Sequence, residues 1–361
     1  MKIKNIYFKS LELKLKESYT IAYETFSSCT NIFMMAETAE GIKGLGCGSP
    51  DSGVTGETPG KTMDVIEKYI EPLLKNADPF DYTRIMEELR KNIPGNPSAL
   101  AMTDMLLYDL ISKKAGVPLY KYLGAYRKSM PTSITIGIMP VEETIDRARN
   151  YYHSGFRILK LKGGRSCEED IEKIARIRKE FGDEIQLRVD ANQGYTVEEA
   201  VKFVEKTRTY TIELLEQPTP RDNYEALGRV SKKVAIPVMA DESIMNLKDV
   251  FSLTKNDLTD MINIKLMKSG GIAEALRINA VASAAKVEAM IGCMDESEVS
   301  ISAGLHFALS RPNVIYADLD GHLDLMDDPA KGTLILKKGI LYPNNLPGLG
   351  SEASDIFTKL F

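Results

Sequence analysis

Two lysines with a short spacing are the first residues of this chain that suggest chemistry. Lys160 and Lys162 lie two positions apart in a strand-like run, residues 157–164, that ends in a Gly pair. Side chains alternate between the two faces of a strand, so both ammonium groups point the same way. Two like charges on one buried face are unfavourable unless anions compensate them. The alternative is a solvated edge strand with two exposed lysines.

Acidic side chains end four of the strands predicted further along the chain. They are Asp190 (run 185–190), Glu216 (run 212–218), Asp241 and Glu242 (run 237–242), and Asp318 and Asp320 (run 314–320). Carboxylates are hard oxygen ligands, and no His or Cys accompanies the first three runs, so Mg²⁺ is favoured over zinc or copper. For any one of these acids alone, a cap of the helix that follows its strand is a more common role than that of a metal ligand. Three consecutive strands that end in acids favour the metal.

The elements that must position these groups recur with a regular period. From about residue 130 onward, strands and amphipathic helices alternate at a spacing of about 26 residues, the length of one βα unit. The predicted strands begin near Thr132, Arg157, Glu184, Tyr210, Ile236, Asp260, Glu288 and Asn313. Eight units favour a parallel (β/α)₈ barrel. A doubly wound sheet is the alternative, but its usual Gly-x-Gly-x-x-Gly turn is absent from the sequence.

The barrel places two lysines opposite each other. Lys162 ends the second strand and Lys265 ends the sixth, so they lie across an eight-stranded ring, with the three acid-ending strands between them. Catalytic groups of such barrels lie at the C-terminal strand ends. Two bases on opposite faces of one carbon can remove a proton from one side and return one from the other, while a metal stabilises the developing charge. This predicts racemisation or epimerisation α to a carboxylate.

The remaining segments form an α+β unit and a tail. Residues 1–125 contain strand-like runs at 3–15 and 29–39, a Gly-rich stretch at 41–53, and a helix that starts at Thr58-Pro59. The barrel is expected over residues 126–325. We expect the tail, 326–361, to carry one strand near 332–341 and to pack back on the first segment.

Composition and charge limit the kinds of partner that the protein is expected to bind and the compartment in which it is expected. The chain has 361 residues and a net charge of -5, so it lacks the basic field expected of a protein that binds nucleic acid or an anionic membrane. It contains no apolar run of membrane-spanning length and no signal-peptide pattern. Four scattered cysteines indicate reduced thiols in a cytoplasm. We expect a small-molecule substrate and assembly as a homo-oligomer.

These motifs resemble those of the enolase superfamily, and within it the muconate-lactonizing-enzyme subgroup, over essentially the full length. The matching segments are Lys160-Leu-Lys162, Asp190-Ala-Asn192, Glu216-Gln-Pro218, Asp241-Glu-Ser243, residues 264–271, residues 99–110 and Gly116-Val-Pro118. The resemblance implies a modified (β/α)₇β TIM-type barrel, with an α+β capping domain built from the N-terminal segment and the C-terminal tail.

The same resemblance implies roles for individual residues. It implies Mg²⁺ bound by Asp190, Glu216 and Asp241. It also implies that Lys162 and Lys265 are the acid/base catalysts and that Lys160 steadies an enediolate.

The Asp318-Leu-Asp320 motif decides among the reactions of the subgroup. Two carboxylates on the same side of the last strand suit a cation, although a loop-start cap is the alternative. The motif is similar to the Asp-x-Asp of dipeptide epimerases, which holds the free α-ammonium of the substrate. We therefore predict a dipeptide epimerase that inverts the α-carbon of the C-terminal residue. The alternatives are an N-acylamino acid racemase, an o-succinylbenzoate synthase, or a muconate cycloisomerase, whose dianionic substrate fits the motif poorly.

Two loops of the capping domain, residues 18–29 and 48–58, are expected to close over the site and select the side chain. In family members that act on Ala-Glu, an Arg of the first loop pairs with the substrate carboxylate. Glu24 matches that position here, which favours a Lys or Arg as the second residue. A solvent-facing Glu24 is the alternative. Further candidates for substrate binding are Thr135, Asn192, Asp295 and Glu298.

Two other classes of protein compete with this interpretation. A Schiff-base aldolase would use one of the lysines as a nucleophile, but it leaves the strand-end acids unused and expects a phosphate-binding Gly-rich loop after strands 7 and 8. A non-catalytic scaffold would tolerate loss of both lysines.

Overall fold

The N-terminal part of the computed structural model, which describes residues 1–360, is an antiparallel sheet covered by helices; Phe361, the last residue of the tail, lies outside the described residues. The strands follow the order β1 (Ile3–Thr20), β2 (Thr25–Thr38), β3 (Lys43–Gly48). The helices are α1 (Pro59–Val65), which runs through a π-helical turn (Ile66–Ile70) into α2 (Glu71–Leu74), a 3₁₀ turn (Pro79–Asp81), α3 (Tyr82–Asn92), α4 (Pro97–Lys114) and α5 (Leu119–Tyr122). As predicted, Thr58 caps α1 and accepts a hydrogen bond from the backbone N–H of Lys61.

Helix α4 lies between this sheet and the rest of the molecule. Glycines on β3 allow the helix to approach closely, since a Cβ on Gly46 would lie 2.0 Å from the backbone oxygen of Met102. The other side of α4 meets the barrel, where Asp104 accepts a hydrogen bond of 2.5 Å from the backbone N–H of Ile272. The helix is buried from Ser98 to Ser112, so it forms the core that joins the two parts.

The barrel follows a short strand, β4 (Met130–Pro131). Its eight parallel strands are β5 (Ile134–Ile136), β6 (Ile158–Lys162), β7 (Gln186–Asp190), β8 (Ile212–Glu216), β9 (Val238–Ala240), β10 (Met261–Lys265), β11 (Glu288–Gly292) and β12 (Val314–Asp318). Neighbours along the chain pair in that order. A hydrogen bond of 3.1 Å from the backbone N–H of Ser133 to the oxygen of Ala317 joins the two ends, so the barrel is nearly closed.

Helices connect successive strands on the outside of the barrel. They are α6 (Val141–His153), α7 (Cys167–Phe181), α8 (Val197–Thr207), α9 (Tyr224–Lys233), α10 (Leu247–Lys255), α11 (Leu266–Ser269), α12 (Ile272–Ala284) and α13 (Glu298–Ser310), with 3₁₀ turns at Gly182–Glu184 and Arg208–Tyr210. Seven connections join eight strands, and each strand begins within two residues of its predicted start. The predicted (β/α)₇β barrel with an α+β cap is confirmed.

The inside of the barrel is divided into a plug and a site. Leu214, Met239, Met261 and Met290 pack together inside the barrel, below the carboxylates at the C-terminal strand ends. Side chains alternate along each strand, so the residue two positions further points inward at the next level. On β8 that residue is Glu216, which lies above Leu214. The plug thus fills one end of the barrel and leaves polar groups at the other.

The tail differs from the prediction of one strand. It contains β13 (Leu334–Lys337) and β14 (Ile340–Pro343), followed by α14 (Ala353–Leu360). Lys338 and Gly339 both have positive φ, 51° and 73°, as a two-residue hairpin turn requires, so the run 332–341 folds back on itself. Strand β14 pairs with β4, and α14 contacts β3. The domain limits at residues 125 and 325 stay predictions.

Within the described residues, no helix combines the length and the apolar character that crossing a bilayer requires.

Candidate active site

Three carboxylates meet at the C-terminal ends of adjacent barrel strands. Asp190 ends β7, Glu216 ends β8, and Asp241 directly follows β9. One carboxylate oxygen from each lies within 4.8 Å of the others, and all three side chains are buried. The convergence predicted from the strand ends is therefore present in the fold.

Lys160 lies among these carboxylates as a fixed cation. Its Nζ is 2.8 Å from an oxygen of Glu216, 2.8 Å from one of Asp318 and 3.1 Å from one of Asp190. Burial alone would lower the pKa of Lys160, but these carboxylates reverse that effect and raise it well above its ordinary value. The side chain is 1% exposed, which excludes the solvated edge strand and leaves a permanent positive charge.

Lys162 and Lys265 approach the carboxylates from opposite sides. The Nζ of Lys162 is 2.8 Å from Asp190 Oδ2, and the Nζ of Lys265 is 2.8 Å from Asp241 Oδ2. Both lysines also line the cavities above the strand ends. Burial lowers the pKa of Lys265, but contact with Asp241 outweighs it and the net shift is upward. A cation that shared Asp241 would weaken that contact.

The carboxylate cluster has the donor set that Mg²⁺ requires. Glu216 Oε2 and Asp241 Oδ2 are buried, and each lies 2.8 Å from a lysine ammonium group, that of Lys160 and that of Lys265. Burial and the charge of Asp190 raise the pKa of Glu216 to about 7. Three converging, buried carboxylates fit a hard divalent cation such as Mg²⁺.

Neighbouring polar side chains hold the cluster in position. Asn263 donates a hydrogen bond of 2.7 Å to Glu216 Oε1, and the buried ammonium of Lys268 donates to Asp241. Asn192 donates from its backbone N–H to Asp190 (2.9 Å) and from its side chain to Glu242 (3.0 Å). Its Oδ1 has no hydrogen-bond partner among residues 1–360, so this oxygen is available to a ligand.

Two cavities meet above the lysines. The β12 cavity lies beside Thr135, Asp318 and Asp320. The cap-loop cavity lies under residues 18–29 and 48–58. The residues that line both are Tyr19, Lys162, Lys265, Cys293, Met294 and Asp295. The site thus offers one pocket on either side of the lysine pair.

Tyr19 and Asp295 lie where the two cavities meet. The hydroxyl of Tyr19, near the end of β1, donates a hydrogen bond of 2.9 Å to Asp295 Oδ2 in the loop after β11. Burial raises the pKa of Asp295 to about 6. The backbone oxygen of Asp295 accepts hydrogen bonds from Asn31 and Ser49. The cap is therefore fixed to the barrel at the border of the two cavities.

The two acids of the Asp318-Leu-Asp320 motif have different surroundings. Asp318 accepts hydrogen bonds from Lys160 (2.8 Å) and from Ser133 (2.7 Å), so both of its oxygens are occupied. Asp320 accepts one from the backbone N–H of Thr135 (2.6 Å), and its Oδ1 faces the sulfur of Cys293 at 4.0 Å. Burial and the charge of Asp318 raise the pKa of Asp320 to about 7. Asp320 Oδ1, with only the long contact from the Cys293 thiol, is therefore the most weakly bonded oxygen of the pair.

Glu24 and Asp51 lie on facing loops at the cap-loop cavity. Both line it, and they approach Gly53 together, since a Cβ built there would lie 3.4 Å from Asp51 Oδ1 and 3.9 Å from Glu24 Oε2. Each loop is tied to the barrel: Arg165 donates to the oxygen of Ala22, 3.0 Å, and Arg221 to that of Gly53. The Glu24 carboxylate thus points toward the second loop.

Glu298, also a candidate for substrate binding, lies away from both cavities. It begins α13, and its Oε2 accepts hydrogen bonds from the backbone N–H groups of Gly332 (2.7 Å) and Thr333 (2.9 Å) in the tail. Thr135, Asn192, Asp295 and Glu24 do line a cavity. The structure thus brings four of these five residues to the site.

Several site residues have no signal in the sequence. Tyr19, Ser133 and Asn263 gain their roles from partners far away along the chain. The position of Tyr19 at the start of the predicted cap loop is the one pattern that could have indicated it.

Comparison with known proteins identifies the chain's relatives. The family model for the mandelate racemase / muconate lactonizing enzyme N-terminal domain matches residues 5–124, and that for the enolase C-terminal domain-like family matches residues 143–356. The chain is 43% identical to an L-Lys-D/L-Arg epimerase of Desulforapulum autotrophicum, over 97% of this chain and 99% of the relative.

Two solved structures show the same fold with ligands. One is the dipeptide epimerase of Enterococcus faecalis complexed with Mg and L-Leu-L-Tyr, 39% identical, with a TM-score of 0.94 over 97% of this chain and 99% of that one. The other is the dipeptide epimerase of Methylococcus capsulatus complexed with Mg and L-Arg-D-Lys, 37% identical, with a TM-score of 0.92 over the same shares.

Proposed function

The chain belongs to the mandelate racemase and muconate lactonizing enzyme family of the enolase superfamily, and from this premise we propose how its residues act on a dipeptide. It is an isomerase, a Mg²⁺-dependent dipeptide epimerase that inverts the α-carbon of the C-terminal residue. The observation that carries the mechanism is the pair of opposed lysines, Lys162 and Lys265, on either side of a buried carboxylate cluster.

The carboxylate cluster would anchor the substrate. Asp190, Glu216 and Asp241 would hold Mg²⁺, which supplies positive charge that stabilises the negative charge on the substrate carboxylate. Lys160 adds a second, fixed positive charge, because three carboxylates keep it protonated. Because these contacts hold it in the charged form, Lys160 orients and stabilises the substrate rather than transferring a proton.

Lys162 and Lys265 would exchange protons with the α-carbon. One lysine, as the neutral amine, takes the α-proton from one face and gives an enediolate. The other, as the ammonium, donates a proton to the opposite face and leaves the inverted centre. The two side chains are 12% and 11% exposed, so each can recover its protonation state through the cavities. The reverse assignment of the two lysines converts the product back.

Asp320 would bind the free α-ammonium of the first residue. Its Oδ1 has only a long contact of 4.0 Å from the Cys293 thiol, whereas Asp318 accepts hydrogen bonds from Lys160 and Ser133. An N-acylated substrate has no ammonium to pair with this carboxylate, so a dipeptide is favoured over an acylamino acid. Thr135 donates its backbone N–H to Asp320 and thereby positions it.

Glu24 would select the side chain of the second residue. It faces Asp51 across Gly53 at the cap-loop cavity, so two carboxylates flank the same space. A Lys or Arg side chain there gains an ionic partner, whereas an acidic one meets like charge. We therefore propose a preference for cationic second residues.

The test is a set of L,L-dipeptides incubated with the protein and Mg²⁺ in D₂O. Deuterium is expected at the α-carbon of the second residue, fastest for Lys or Arg there, and excess EDTA should stop the exchange until Mg²⁺ is restored. Glu24→Gln should lower kcat/KM for Lys-ending dipeptides about threefold or more, with Glu143→Gln, an exposed residue of α6, as the control.

Turnover of an acylamino acid or a succinylbenzoate precursor, without exchange in any dipeptide, would contradict the epimerase. Exchange restricted to acidic or apolar second residues would leave the reaction standing and reject the role of Glu24. Borohydride trapping of a substrate on either lysine would instead favour Schiff-base chemistry.

Three expectations about context remain proposals. They are assembly as a homo-oligomer, a cytoplasmic location, and the absence of a nucleic-acid partner, and they rest on charge and composition. Light scattering of the purified protein would measure the first.

A further inference from the structure

The β12 cavity continues outward beyond Asp320 into a region with no role in the mechanism above. Its walls there include the apolar side chains of Ile136 and Met139 and the ring of Tyr151. Three charged residues lie at its outer part: Glu17, Arg147 and Asp324. An apolar channel with charges at its end is the form expected of a pocket for a long, charged side chain.

Arg147 is already paired within this region. One guanidinium nitrogen donates to the carboxylate of Glu17, and the guanidinium carbon lies 5.9 Å from the centre of the Tyr151 ring. An acidic ligand would have to displace Glu17 to reach this charge. The positive charge of the pocket is therefore largely compensated by the protein itself.

Asp324, unlike Arg147, has no oppositely charged side chain bonded to it among residues 1–360. Its carboxylate is half-buried and lines the cavity, yet within residues 1–360 it forms no hydrogen bond and no ion pair. The nearby Lys16 donates its ammonium to the backbone oxygen of Leu323 instead. Burial raises the pKa of Asp324, and the charges of Lys16 and Arg147, neither of which forms an ion pair with it, offset this only in part. Such a group favours a ligand that brings a cation.

The first residue of a dipeptide must place its side chain in this cavity. Its ammonium and its side chain leave the same carbon, so a side chain whose ammonium binds Asp320 starts in the β12 cavity. Tyr19 and Asp295, joined by a hydrogen bond of 2.9 Å, line the border between this cavity and the cap-loop cavity. Asp324 follows Asp320 by four residues on the same loop and lines the same space.

We propose that Asp324 is the specificity determinant for the first residue and that it selects Lys or Arg there. This rests on the dipeptide epimerase function proposed above. The methylene groups of the substrate lie along Met139 and Tyr151, and the terminal cation reaches Asp324. An apolar first residue fills the channel but leaves a half-buried carboxylate unpaired, and an acidic one meets Asp324, Glu17 and Asp320 together.

The experiment compares two substrates that differ only in this cation, L-Lys-L-Lys and L-norleucyl-L-Lys. The parent protein should exchange the α-proton of the second residue with kcat/KM about tenfold or more in favour of the Lys substrate. Asp324→Asn should bring this ratio close to one, mainly through KM. The control is Asp327→Asn, which removes one charge from the same loop outside the cavity, at a positive φ that Asn tolerates.

The outcomes separate this proposal from the proposed function. A parent ratio near one, or a high ratio that persists in Asp324→Asn, would overturn the role of Asp324 while exchange in both substrates upholds the epimerase. A ratio that falls equally in Asp327→Asn would also overturn it, because the effect would then be one of net charge. Absence of exchange in every dipeptide would reject the epimerase and this inference together.

Discussion

At the scale of single residues, the site depends on two lysines that touch different carboxylates. Lys162 contacts Asp190 and Lys265 contacts Asp241, and β6 and β10 place them on opposite sides of the barrel. Neither can reach the face served by the other. The two residues are therefore not redundant: under the proposed mechanism inversion in either direction needs both, one as the base and the other as the acid.

This predicts opposite defects in Lys162→Ala and Lys265→Ala. Each variant should lose at least about 100-fold in epimerisation, but each keeps one base. One variant should still exchange the α-proton of the L,L-dipeptide without inversion, and the other that of the L,D-dipeptide. Proton NMR in D₂O on both epimers measures this. If both variants lost α-proton exchange with the same epimer, the two-base mechanism would be contradicted. Lys202→Ala, on the exposed side of α8, serves as the control.

The site residues that can be predicted from the sequence are those at the ends of strands. Asp190, Glu216 and Lys265 follow from the alternation of side chains and the common edge of parallel strands. Asp324 and Tyr19 do not, because their importance comes from a cavity assembled by the cap, β5 and the loop after β12. Glu298 shows the converse. Its position near a strand end suggests a role in the site, but its carboxylate accepts a hydrogen bond from the tail instead.

At the scale of elements, the strands and helices of the barrel follow from the period of the sequence, whereas the tail hairpin does not. The turn at Lys338-Gly339 lacks the Asn-Gly or Asp-Gly pair that marks such hairpins. Both positions have positive φ, and pairing of β14 with β4 supplies the hydrogen bonds that hold the turn. Pairing with β4, a strand that precedes the whole barrel in the chain, thus determines the structure of this turn.

Close packing of α4 on β3 gives a prediction at the same scale. Gly46→Ala would place a methyl group 2.0 Å from the backbone oxygen of Met102. Backbone on both sides must move, so the free energy of unfolding should fall by about 1–3 kcal/mol. Urea denaturation measures the loss. Gly60→Ala is the matched control, since nothing lies within 4 Å of its Cβ position at the start of α1, and an equal loss there would contradict a packing cause.

At the scale of the whole molecule, a buried histidine links the last barrel helix to the cap. His306 on α13 is fully buried, and its Nδ1 accepts a hydrogen bond of 2.9 Å from the backbone N–H of Tyr120 in α5. Burial lowers the pKa of His306 to about 3, so the folded protein holds the neutral ring. In the unfolded chain the ring titrates near its ordinary pKa of about 6.5.

The sign of the resulting pH dependence follows from proton binding. Between about pH 6.5 and pH 3 the unfolded chain binds a proton at His306 that the folded protein does not, so the free energy of unfolding falls as the pH falls. The contribution of His306 is complete above pH 6.5, and about 2–3 kcal/mol of it should be lost at pH 4.5. His322, whose pKa burial lowers to about 4, acts in the same direction.

Urea denaturation from pH 7.5 to pH 4.5, with excess EDTA so that metal release does not contribute, measures this loss. His306→Gln should be less stable than the parent at pH 7.5, because it disturbs the contact with Tyr120, but its stability should fall less steeply with acid by about one proton. His153→Gln, exposed at the end of α6, should keep the parent slope. If the free energy of unfolding fell equally steeply with acid in all three proteins, acid would be acting on the carboxylates of the site rather than on His306 at the contact between cap and barrel.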